Sequence, residues 1–134
     1  MENGVLLLPQ RGDPATHARR LMASLAEEVV VPRVTYWARQ MGCTPKRLLW
    51  STARKRWGSM TTEGVLRLNL ALLHCPMACV DYVVVHELAH MRHPNHSPAF
   101  HALVRRYLPH ADDTRKRMRA MAPYLTLIKE ATKA

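Results

Sequence analysis

The chain has 134 residues, 48% of them hydrophobic and 22% charged, which suits one folded domain and excludes a disordered one. No apolar run approaches the ~18 residues of a membrane span, and the acidic N-terminus is no secretory signal. Three cysteines, Cys43, Cys75 and Cys79, without a Cys-x-x-Cys pair argue against a disulfide framework and for a reducing, cytoplasmic setting. Cys75 and Cys79, beside His74, are spaced to share a soft metal, but buried free thiols are the simpler reading. The net charge of +10 attracts polyanions and makes nucleic acid a possible partner, although the basic residues are scattered and aromatics amount to only 6%.

Residues 1–12 read as a flexible arm and residues 13–134 as one domain. Asp13-Pro14 is a helix start, with a capping aspartate and proline at the first helical position. Apolar residues then recur at helical spacing through Leu21, Leu25, Val29, Val34, Trp37 and Met41, with Pro32 breaking the run and Gly42 ending it. Arg47–Ser51 reads as a short strand. After Ala53–Met60 and a turn at Thr61–Gly64, Val65–Leu70 alternates with period two, Leu66, Leu68 and Leu70 facing one way. These segments predict a small antiparallel meander. Pro76 opens a helix running to about His93, where Pro94 ends it. Ser97-Pro98 caps the next helix, with Phe100, Leu103, Val104, Tyr107 and Leu108 on its apolar side. Asp112 or Asp113 opens a last helix through Met118 and Met121, interrupted at Pro123, with a frayed tail from Lys129.

The chemistry concentrates in Asp81–His96, which contains His86-Glu87-Leu88-Ala89-His90. Residues four apart share a helix face, so His86 and His90 can hold one metal ion while the Glu87 carboxylate reaches a water on it. A catalytic zinc takes three protein ligands and leaves one position open, and peptide hydrolysis also needs a base. The expected cofactor is therefore Zn2+, with Glu87 as the base. A solvent-facing His-Glu pair would not explain why Val83, Val84, Val85, Leu88 and Ala89 bury the helix around it. For the third ligand, His93 precedes Pro94, where helical geometry is disfavoured. His96 follows the Pro94-Asn95 turn at the distance from His90 seen in the metzincin pattern, whose glycine is His93 here. His96 is the choice, His101 the reserve, and Asp112 or Asp113 a more distant substitute.

Val83–His90, then Asn95-His96-Ser97-x-x-Phe100, resembles the YgjP-like zinc metallopeptidases. The resemblance extends upstream through Arg56-Trp57-Gly58-Ser59, Gly64–Asn69 and Asp81-Tyr82, covering roughly residues 33–121. It implies an α+β, zincin-like fold: N-terminal helices, a small antiparallel sheet beside the active-site helix, and C-terminal helices. It also implies His86, His90 and His96 as zinc ligands and Glu87 as base. A more distant similarity runs to SprT-like proteases. Met60 stands where the family usually has cysteine and His101 where it usually has tryptophan, changes that bear on the walls of the site.

The expected activity is zinc-dependent hydrolysis of a peptide or protein substrate. Val65–Leu70 is the candidate edge strand for substrate pairing. Asn69 is a candidate substrate contact or a cap at the strand's end, and Tyr82 a candidate donor to a tetrahedral intermediate or a core tyrosine. Arg54-Lys55-Arg56-Trp57 is the tightest basic-aromatic cluster, and Arg115-Lys116-Arg117 with Arg119 reads as a wet helix face. Two alternatives stand beside the peptidase: a nucleic-acid-associated, SprT-like protease and a non-catalytic zinc-containing binding module.

Overall fold

The computed structural model describes residues 14–132. The expected arm at 1–12 and the Asp13 cap lie outside them. In chain order come α1 (Pro14–Val29), α2 (Val31–Met41), β1 (Arg47–Ser51), β2 (Gly58–Met60) and β3 (Val65–Asn69). A 3-10 turn (Leu70–His74) leads to α3 (Met77–Ala89), α4 (Pro98–Tyr107), α5 (Ala111–Ala120) and α6 (Pro123–Thr132). No described helix is long and apolar enough to cross a membrane.

Pro32 divides the first helical run as its fixed φ predicts, and Gly42 closes α2 with φ 66°, a left-handed cap that glycine adopts without steric cost. In α2 the expected residues Val34, Trp37 and Met41 are buried. In α1 the expected stripe is overturned, since Leu21, Leu25 and Val29 are exposed while Ala26 is buried and Met22 and Ala23 pack against the core. Small residues on that side let α1 lie close to α2, α6 and the 3-10 turn.

The sheet corrects the antiparallel meander. Its order is β1-β3-β2, with β2 antiparallel to β3 but β1 parallel to it, Arg47 opposite Val65 through Ser51 opposite Asn69. The connection 52–57 therefore crosses the end of β3 instead of folding back beside β1. Asn69 holds it there: its side-chain amide donates to the carbonyls of Ala53 and Arg56, both at 2.9 Å, and its backbone N–H to that of Trp57. The turn after β2 follows the sequence, with Gly64 at φ 89°. Leu66, Leu68 and Leu70 are fully buried on one face, as the period-two pattern requires.

Beneath that face lies α3, whose Val80, Val83, Val84, Val85, Leu88 and Ala89 are all buried. Asp81 ties it to α2, accepting from Arg33 at 2.8 and 3.0 Å and from the Trp37 indole at 3.0 Å. The helix stops at Ala89, a turn earlier than expected from Pro94. Tighter bonds, from the N–H of His90, Met91 and Arg92 to the carbonyls of Glu87, Leu88 and Ala89, close it. Further on, Phe100 and Val104 are buried on α4, and α6 stays helical past the expected frayed point at Lys129.

Candidate metal centre

Helical spacing puts His86 and His90 on the same side of α3, with ring centroids 5.1 Å apart. The early end of α3 turns the chain through Pro94 and Asn95, and the Ser97 N–H donates to the Asn95 carbonyl at 2.8 Å. Ser97 then caps α4 by accepting from the Phe100 N–H at 3.2 Å. Between these two fixed points His96 swings back over α3. One ring nitrogen from each of His86, His90 and His96 falls within 4.8 Å of the others, the sole grouping of this kind among the described residues.

The ring nitrogens suit a metal. The Nδ1 of His90 lies 3.1 Å from the His93 carbonyl, a partner that takes the N–H and leaves Nε2 with its lone pair. That Nε2 is 3.1 Å from the Nε2 of His96. Two ligands about 2.0–2.1 Å from one tetrahedral ion stand about 3.3 Å apart, so the pair is near ligation distance. The Nδ1 of His86 is buried without a hydrogen-bond partner, the only such side-chain atom among the described residues. Phe100, fully buried, underlies all three rings with centroids 4.5–4.9 Å away. The His96 edge is exposed, but desolvation of its ring, then the neighbouring His86, His90 and His101, hold its pKa below the usual histidine value. A neutral imidazole is the form that ligates.

Glu87 is 7% exposed, and its Oε2 lies 3.3 Å from His86 Nδ1. It faces a cleft of about 600 Å³ lined by β2, the following turn and the three histidines. Gly58 is what lets β2 come so close: a Cβ there would meet Glu87 Cγ at 3.1 Å, Val83 Cγ1 at 3.1 Å and the Arg67 carbonyl at 3.0 Å. Among the described residues β2 pairs only with β3, so its far edge faces this cleft.

Residues 7–121 match the YgjP-like metallopeptidase domain. The chain belongs to that family. No curated protein matches the chain. Among solved structures, this YgjP-like chain is similar to the crystal structure of the metallopeptidase zymogen of Pyrococcus abyssi abylysin. The TM-score is 0.63 at 19% identity, over 69% of this chain and 93% of that one, a likeness of fold. The expected α+β, zincin-like architecture stands, with the sheet mixed instead of antiparallel.

Other expected site residues fare differently in this metallopeptidase domain. Asn69 is 1% exposed and spends its side chain on Ala53, Arg56 and, through Oδ1, the Ala71 N–H, so it takes the structural role and presents nothing to a substrate. Val65–Asn69 is the central strand, paired on both sides, and is not the edge; β2 is. The edge was missed because period-two alternation needs more than the three residues of β2 to register. Tyr82 lies beside His86, ring centroids 5.7 Å apart, and burial raises its pKa so that the phenol keeps its proton. His101, the reserve ligand, stacks on His96 at 6.2 Å but stands outside the three-nitrogen group. Cys75 and Cys79 remain free thiols, burial pushing Cys75 up to about 11.

Proposed function

We propose that this metallopeptidase is a zinc-dependent peptidase in which His86, His90 and His96 hold the metal and Glu87 is the general base. The observation that carries the reading is the convergence of three imidazole nitrogens within 4.8 Å beside one buried carboxylate. Zinc is favoured because the donor set is all nitrogen and the number of ligands leaves one position open. Bound there, it would supply Lewis acidity, lowering the pKa of a water to about 7 and polarising the scissile carbonyl.

The chain's own residues do the rest. The peptide lies along the free edge of β2, taking backbone hydrogen bonds as an added strand. Glu87 takes a proton from the attacking water and returns it to the leaving amine, a transfer eased by its position at the floor of a cleft. The His93 carbonyl fixes the tautomer of His90. Tyr82 offers a protonated phenol beside His86 to charge developing on the substrate.

Glu87→Gln tests the assignment. The variant keeps its zinc, measured by mass spectrometry of the metal, and loses hydrolysis of a quenched fluorogenic peptide by about 10²–10⁴-fold. Full activity in that variant would refute the role of Glu87, and activity that survives a chelator would refute the metal.

A further inference from the structure

The two basic runs of the sequence, distant in the chain, meet in space. The connection 52–57 carries Lys55 and Arg56, and α5 carries Arg115 and Arg119. Together they rim a hollow of about 540 Å³ that opens onto His86 and Glu87 on the side away from the turn after β2. We propose that this hollow is a subsite for an acidic side chain of the peptide substrate, adjacent to the bond that is cut. The proposal rests on the peptidase reading above.

The rim is charged and the floor is not. Val83, Met118 and Leu125 are buried beneath it, a surface fit for the methylenes of a side chain whose tip reaches the cations. Arg115 and Arg119 are one helical turn apart and project to the same side of α5. Among the described residues Lys55, Arg56, Arg115 and Arg119 form no salt bridge, whereas Arg54, also on this wall, is held by Glu130 at 2.9 Å. Among the described residues the only carboxylate lining the hollow is Glu87, which is buried. A ligand carboxylate would thus enter a field with unpaired cations on two opposed walls.

The cleft along β2 contrasts with it. Its lining includes Ser59, Met60, Thr61 and Met91, and among the described residues Arg56 is its only lysine or arginine. Charge selection is therefore lopsided: an acidic residue is preferred more strongly on the flank that meets the four cations than on the flank that meets Arg56 alone. Asn69 makes the arrangement possible, because its amide pins the carbonyl of Arg56 and so the segment that carries two of the cations. Nucleic acid is the less suitable occupant. A phosphodiester strand calls for an extended basic track with stacking platforms, and here the cations encircle one hollow of side-chain size above an apolar floor.

Peptides differing only by Glu or Gln at each position around the cleaved bond test this. Binding to the zinc-loaded Glu87→Gln protein is read by fluorescence anisotropy, and cleavage by the unmodified protein is read in parallel. One flanking position should favour Glu over Gln about tenfold in Kd, with the preference shrinking as salt rises. Adding Arg115→Gln and Arg119→Gln should bring the ratio close to one, while Arg115→Lys with Arg119→Lys should retain it, which separates charge from folding. Equal binding of Glu and Gln peptides at every position overturns the proposal. So does a duplex oligonucleotide that displaces both peptides alike and loses its grip with the two arginines, an outcome that assigns the cations to nucleic acid. Failure of the peptidase reading would look different: no peptide is cleaved, yet the anisotropy ratio still reports on the hollow.

Discussion

The proposed metal centre is assembled from two unlike regions. His86 and His90 ride on α3, a helix buried under the sheet and fastened to α2 through Asp81. His96 rides on an exposed turn whose fixed points are the Asn95 carbonyl, the Ser97 cap and the Phe100 ring. The positions of the first two follow from packing of the whole domain. That of the third follows from a few local bonds, each worth about 1 kcal/mol. The difference teaches that α3 supplies a preorganised pair, and the turn completes the site at a smaller conformational commitment.

The sharpest way to break this comparison is to remove one proposed ligand from each region. His90→Ala should lose metal affinity by more than about 100-fold, since even partners of ligands are worth 10–100-fold. His96→Ala should weaken binding less, because the helix pair persists. Metal content after dialysis, followed by a competition titration, distinguishes them; equal losses would put the turn on the same footing as the helix. A smaller effect is expected at the base of α3. Asp81→Ala strips the partners of Arg33 and the Trp37 indole, and should cost about 2 kcal/mol of stability in urea unfolding. Smaller still, Ser97→Ala removes the α4 cap and should cost about 1 kcal/mol. Its mark is faster amide exchange at Phe100, with α3 protection unchanged. Faster exchange along α3 as well would show that the two regions share one cooperative unit.

The legible part of the site was the part governed by helical periodicity. His86 and His90 could be set on one face, with Glu87 one step round the same turn, because four residues make about one turn, and the apolar residues around them announced a buried helix. His96 could be chosen from its spacing after Pro94, although what aims it is the early stop of α3 at Ala89 and the Ser97 cap. Strand order was not legible. Sequential strands usually pair, and here the hydrogen bonds of Asn69 to the 52–57 connection help carry β2 to the far edge. The buried side of α1 was misjudged for a related reason: close helix packing selected Ala23 and Ala26 over the larger Leu21 and Leu25. Nor does spacing reveal that Lys55 and Arg56 will face Arg115 and Arg119, since that depends on where α5 crosses α3.

Gly58 has a wider meaning than close packing. The missing side chain leaves room for the Glu87 stem and β2 to occupy neighbouring space, since a Cβ there would stand 3.1 Å from Glu87 Cγ. A methyl group at that point would set the two in competition, since β2 could lie deep only if the carboxylate swung aside. Under the proposed mechanism, position 58 is thus a one-atom gauge of how close the strand that would bind the peptide lies to the carboxylate that would move the water's proton.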